Sequence, residues 1–186
     1  MARDVAVLVG SLRKASLNRK MANTLRELAQ GSLALEIVEI GDLPLYNEDL
    51  EAEVPAAWAR FRERVRRAEA VLFVTPEYNR SVPGLLKNAI DVGSRPYGKS
   101  VYSKKPSAVI SVTPGPLGAF GANHHLRQSM VFLDMPVLQQ PEAYIANAGK
   151  LFDEHGALTN DDTRAFLSKY LQAFAAWIET SAIKAT

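Results

Sequence analysis

The sequence predicts a doubly wound α/β fold, a five-stranded parallel sheet with helices on both faces. Two observations carry that prediction. Apolar strand-like runs alternate with helical patterns five times along the 186 residues, a rhythm that implies right-handed crossovers between parallel strands. The central runs VAVLV (5–9) and AVLFV (70–74) are apolar throughout, as expected of strands covered on both sides. The length suits one domain spanning residues 1–186. With 47% apolar and 23% charged residues, the composition is an ordinary globular mixture.

Each element has its own local reason. Val5–Val9 forms the first strand and Gly10 ends it. Ser16 then caps a helix that carries Met21, Leu25 and Leu28 on one face. Leu35–Ile40 is the second strand; Glu36 and Glu39 make it less apolar and place it near an edge. After a loop at 41–53, Pro55 suits a first helical turn, and Trp58, Phe61 and Val65 follow as a core-facing stripe. Ala70–Thr75 is the third strand. A helix follows Pro83, with Ser81 as its cap, and Pro106–Val112 is the fourth strand. The loop TPGPLGAFG leads into a helix through Leu126, Met130 and Leu133. Val137–Ile145 contains the fifth strand, flanked by Pro141. Thr159 and Asp162 have capping-box spacing before a last helix whose inner side is Phe166, Leu167, Leu171, Phe174 and Ile178. The arginines at 60, 62, 64, 66 and 67 read as a solvated helix face.

Five strands favour the flavodoxin-like order 2-1-3-4-5. In such a sheet ligands bind beyond the carboxyl ends of the strands, where the winding reverses. The loops at 10–18, 76–83 and 111–121 should therefore converge.

Composition narrows the chemistry. There is no cysteine, which excludes disulfides, thiol catalysis and thiolate-bound metal, so redox chemistry needs a bound cofactor. No His/Asp/Glu cluster has metal-ligand spacing. A net charge of +2 selects neither nucleic acid nor an acidic membrane surface. The apolar run in MARDVAVLVG is too short for a signal core or a membrane span. A cytoplasmic protein is expected.

The first loop, GSLRKASLN, joins a buried strand to a helix start, where free N–H groups and the helix dipole attract an anion. Ser11, Ser16 and Asn18 add neutral donors, and Arg13 adds a fork suited to phosphate. Neither the Walker pattern nor GxGxxG is present, so one terminal phosphate suits the loop better than a pyrophosphate; a plain helix cap is the alternative. In the second loop, Pro76 stops the strand and Glu77, Tyr78 and Asn79 stand beside the first loop. Tyr78 can lie against an aromatic ligand or pack on a neighbouring subunit. Glu77 reads as a site acid or as a loop charge. The third loop offers Ser111, Thr113 and glycines that let backbone approach a ligand, or is a flexible crossover.

Together these loops resemble the NADPH-dependent FMN reductase family, especially its bacterial quinone and chromate reductase branch. The matching segments are GSLRKASLNRK (10–20), TPEYNRSVPGLLKNAID (75–91), and HLRQ with its downstream PE (125–142). The resemblance implies a flavodoxin-like fold, non-covalent FMN, NADPH or NADH as reductant, and a small-molecule electron acceptor: a quinone, flavin, azo compound or metal oxyanion. It implies a homodimer or homotetramer, with Asp91 and Arg95 facing a partner chain. Carried over residue by residue, Ser11, Arg13, Ser16, Leu17 and Asn18 bind the FMN phosphate. Pro76, Glu77, Tyr78 and Asn79 border the flavin ring, largely through backbone, and Ser111, Thr113 and Gly115 close the other side. The chain departs from the branch at GAFGANHHLRQ, which lacks an Arg and has His124 where Tyr can stand. The chemistry belongs to the cofactor, so no acid–base residue is assigned, and His124 and His125 are read as packing or interface residues. A ping-pong cycle is expected, in which nicotinamide and acceptor take turns at one flavin face. The rivals on the same fold are an electron carrier and an FMN-binding sensor. A hydrolase is disfavoured, for want of a GxSxG elbow.

Overall fold

The computed structural model describes residues 1–29 and 31–181. Five parallel strands, β1 (Arg3–Val9), β2 (Leu33–Val38), β3 (Ala70–Thr75), β4 (Ser107–Val112) and β5 (Ala143–Ile145), lie in the order β2-β1-β3-β4-β5. The predicted order is the observed one. The helices are α1 (Leu17–Leu28), α2 (Ala56–Arg67), α3 (Gly84–Gly93), α4 (Phe120–Phe132) and α5 (Asp161–Ser181).

Two apolar layers flank the sheet because side chains alternate across each strand. Val5, Val7, Leu72 and Ile110 pack with Met21, Leu25, Tyr170 and Phe174 of α1 and α5. Ala6, Leu8, Phe73 and Val109 pack with Trp58, Phe61, Leu86, Leu126 and Met130 of α2, α3 and α4. β1, β3 and β4 are buried on both faces through their centres, which is why they read as unbroken apolar runs. β2 is an edge strand, as its glutamates indicated, but it runs two residues earlier than expected. Leu33 pairs with Arg3 at its start, and Ile40 is buried beyond its end, in the α2 layer. β5 is only three residues long. Val137 makes a single bridge to Ser107, and the chain reaches the sheet again after Pro141.

Three local expectations are corrected. α5 is capped by Asn160, whose Oδ1 accepts from the Thr163 N–H at 2.8 Å; the Thr159 hydroxyl donates to Leu151 O instead. α3 has no side-chain cap, and Ser81 turns to His125. The arginine-rich face of α2 is not uniformly solvated. Arg62 is buried, pairs with Glu51 at 2.6 Å, donates to Val92 O and lies over the Trp58 ring. Sequence periodicity missed this because Arg62 follows Phe61 and sits at the border of the apolar stripe, where a long stem can lie inside while its charge finds a partner.

Candidate active site

The loops after β1, β3 and β4 meet at the carboxyl ends of the strands. The first is short and ends in a capped helix. Ser16 Oγ accepts the Arg19 N–H at 3.1 Å, leaving its own proton to donate outward. The N–H groups of Leu17 and Asn18 open α1 and have no protein acceptor among the described residues. Asn18 is buried; its Nδ2 donates to Val112 O at 3.3 Å, tying α1 to the end of β4. That bond fixes the amide orientation, and Asn18 Oδ1 is left buried without a partner among the described residues. Ser11 is buried and Arg13 is exposed.

The second loop is a tight hairpin. Tyr78 and Ser81 exchange both backbone hydrogen bonds, at 3.1 and 3.0 Å. Between them, Asn79 (φ 51°) and Arg80 (φ 63°) are both left-handed, the signature of a two-residue I′ turn. Asn tolerates that conformation better than most residues because its side chain can bond locally. Asn79 is thus a turn former at the tip. Tyr78 stays half exposed.

The third loop is pinned from beneath. Ser111 is fully buried; its hydroxyl donates to Gly118 O at 2.6 Å and accepts from Asn123 Nδ2 at 3.2 Å. Gly118 adopts φ 61°, and a Cβ there would stand 2.7 Å from Tyr144 Cβ, so only glycine lets the loop turn over β5. Thr113 Oγ1 accepts the Gly115 N–H at 3.3 Å.

Two neighbouring cavities result. One, of about 240 Å³, is lined by Ser11, Arg13, Ser16, Leu17, Asn18, Pro76, Glu77, Tyr78 and Thr113, together with Val112 and Pro114. The other, of about 320 Å³, shares Glu77 and Thr113 with it and adds Arg80, Gly115, Pro116, Leu117 and Ala119. Most of the sequence-predicted site residues therefore converge. Ser111 and Asn79 are the exceptions: they support the loops and line neither cavity. Sequence reasoning missed Arg80 and Leu117. The Asn–Arg pair in a tight turn was the available signal for Arg80. Volume alone would have misled, since a hollow of about 400 Å³ between β2 and α2 is larger but bordered by ion-paired side chains such as Arg64 and Glu36.

A polar chain edges the site. His124 Nε2 lies 3.0 Å from the Tyr144 hydroxyl, which donates to Glu142 Oε1 at 2.7 Å. Partial burial and that carboxylate push the Tyr144 phenol up to about 12. His124 thus engages a side chain beside the third loop, and His125 engages Ser81 of the second. Among the described residues no group of three or more acidic, His or Cys side chains could hold a metal ion, and no helix is long and apolar enough to cross a membrane.

The NADPH-dependent FMN reductase family matches residues 3–150. The chain belongs to that family. It is an oxidoreductase, and FMN with NAD(P)H as reductant is the cofactor chemistry of the family and its relatives. A quinone reductase of Pseudomonas putida is 68% identical over 177 residues, covering 95% of both chains. A 2-hydroxy-1,4-benzoquinone reductase of a Burkholderia species is 42% identical, covering 96% of this chain and 97% of that one. Among solved structures, the flavoenzyme NAD(P)H:(acceptor) oxidoreductase FerB of Paracoccus denitrificans superposes with a TM-score of 0.93 at 43% identity, over 98% of this chain and all of that one.

Proposed function

We propose that the paired cavities hold FMN and that this FMN reductase passes electrons from NAD(P)H to quinones. The observation that carries the placement is the set of unfilled groups in the first cavity: the free N–H groups of α1, the Ser16 proton and the orphaned Asn18 oxygen. The first two suit phosphate oxygens at a helix N-terminus, with the Arg13 guanidinium closing over them. Asn18 Oδ1 is an acceptor and cannot meet an unprotonated phosphate oxygen. It suits a hydroxyl of the ribityl chain, which refines the expectation that Asn18 binds phosphate. Pro76, Glu77 and Tyr78 then border the ring on one side, and Thr113 to Gly115 border it on the other, with Asn79 and Ser111 supporting these loops from behind.

Held there, FMN would supply the redox chemistry, hydride acceptance from a nicotinamide and electron delivery to an acceptor. The residues bind and orient; none is assigned proton transfer. The second cavity, open beside Tyr78 and Arg80, is where nicotinamide and acceptor would alternate in a ping-pong cycle. Quinones are favoured among the acceptors, since quinone reductases cover nearly the whole chain at high identity; free flavins, azo compounds and metal oxyanions are further candidates. The exposed Tyr97, Val131 and Phe132 support a homodimer or homotetramer, with Arg95 beside Tyr97 and Phe132 in one hollow. Asp91 is already paired with Lys87 at 2.7 Å. A cytoplasmic location fits an enzyme fed by NAD(P)H.

An anaerobic absorbance spectrum of FMN-supplemented protein tests this reading. Rapid bleaching of the flavin band by NADPH, reversed by a quinone, is the expected result. A band that NADPH leaves intact would make the protein a carrier or sensor.

A further inference from the structure

We propose that Glu77 is a positioning residue that latches the site's hairpin to the N-terminus of α4. The inference rests on the FMN placement above and deepens it. α4 begins without a cap of its own: its N-cap position is Ala119, at φ 57°, with no side-chain hydrogen bond. The cap comes from another loop. Glu77 Oε2 accepts the Ala122 N–H at 3.1 Å, and Oε1 accepts from Arg80 Nη1 at 2.8 Å. The carboxylate side chain is only 11% exposed. A carboxylate at a helix N-terminus meets both an orphan donor and the positive end of the dipole.

Gly121 makes the approach possible. A Cβ at that position would stand 2.8 Å from Glu77 Oε2 and 2.8 Å from Arg80 O, so any other residue would push the hairpin away. A second tie lies one helical turn on, where Ser81 Oγ is 2.9 Å from His125 Nδ1; Ala122 and His125 share a face of α4 at i, i+3 spacing. The hairpin needs such ties. Two consecutive left-handed non-glycine residues are strained and persist only where the surroundings hold them. Glu77 lies between Pro76 and Tyr78, so fixing its carboxylate fixes the backbone that borders both cavities.

The test uses the full chain and the variants Glu77→Ala, Glu77→Gln and Gly121→Ala. Two quantities are read: hydrogen-exchange protection of the Ala122 amide in FMN-free protein, and the Kd for FMN from fluorescence quenching. Glu77→Ala should lose Ala122 protection and raise Kd about tenfold, the scale of losing one partly buried hydrogen bond. Glu77→Gln keeps an oxygen for the Ala122 N–H and should stay within about threefold. Gly121→Ala should follow Glu77→Ala, even though alanine is the better helix former. Ala122 protection that survives in Glu77→Ala would overturn the latch. So would an unchanged Kd, or a Gln variant as weak as the Ala variant. If Glu77→Ala fails to fold, Gly121→Ala and Glu77→Gln still decide. Failure of the wild-type chain to bind FMN would overturn the cofactor placement instead, and the exchange of Ala122, read without FMN, would still decide the latch.

Discussion

At the amino ends of the strands, Arg3 reaches both Glu69 and Glu179 at 2.6 Å, whereas at the carboxyl ends Arg13 meets no carboxylate among the described residues. The contrast extends beyond these two arginines. At the amino end Arg64 pairs with Asp4, and Lys105 donates to the carbonyls of Arg66 and Ala68, closing the last turn of α2. Desolvation of that ammonium holds its pKa below the usual lysine value. At the carboxyl end Asn18 Oδ1 and the first N–H groups of α1 have no partner among the described residues, and a hairpin carries two left-handed residues. Both ends present helix termini and charged side chains. At the amino end the charged groups are matched with opposite charges, and even Arg64 Nε, which makes no well-aligned hydrogen bond among the described residues, lies 2.8 Å from a Glu36 carboxylate oxygen. An end whose polar groups already satisfy each other has little left for a ligand, while unsatisfied buried groups and local strain mark the place where a ligand completes the structure.

Four substitutions or conditions would break or sharpen this contrast. The largest effect is expected at Arg13. Arg13→Ala should weaken FMN binding by about 1.5–3 kcal/mol, the range for a hydrogen bond to a charged group, with little change in the stability of FMN-free protein. Unchanged flavin affinity in a fluorescence titration would remove Arg13 from the phosphate site. Next is the hairpin. Asn79→Val should destabilise the chain by about 1–2 kcal/mol, because a β-branched residue resists positive φ. Asn79→Gly should be close to neutral in the same urea titration, and equal effects of the two would show that the turn is not under strain.

Ser16→Ala removes the cap of α1 and should cost about 1 kcal/mol of stability. It should also weaken FMN further than this loss explains, since the same hydroxyl has a proton to give. If stability fell and FMN affinity did not, Ser16 would be a cap alone.

The smallest effect belongs to the paired end. The Asp4 N–H, and then Arg3, hold the Glu69 carboxyl below the usual range, and Arg3 does the same for Glu179. A carboxylate whose pKa is depressed on folding adds stability above its unfolded pKa of about 4.3 and loses it as the pH falls through its lower folded value. Thermal melts should therefore show stability declining from about pH 4 downward. Glu69→Gln should flatten part of that decline, and 1 M salt should mute it, because these are exposed pairs. An acid limb unaffected by Glu69→Gln would place its origin elsewhere.

Strand order, both core layers and the identity of the converging loops followed from the chain itself. Local rules determined them: unbroken apolar runs at 5–9 and 70–74 belong to strands covered on both faces, and alternation with helices limits the winding to few topologies. The same rules put Ser11, Arg13, Ser16 and Asn18 at a helix start and Pro76 to Tyr78 at a strand end. Tertiary structure decided which atoms of these residues are spent. Asn18 Nδ2 goes to Val112, 94 residues away, Ser111 is used beneath Gly118, and Glu77 is taken by the N-terminus of α4, 45 residues further on. It also moved Arg62 from a solvated face into the layer beneath Trp58 and Val92. Periodicity reports which side of an element is apolar, because that depends on residues within one or two turns. The partner of a single polar atom depends on what the fold brings across from another element, and only packing sets that.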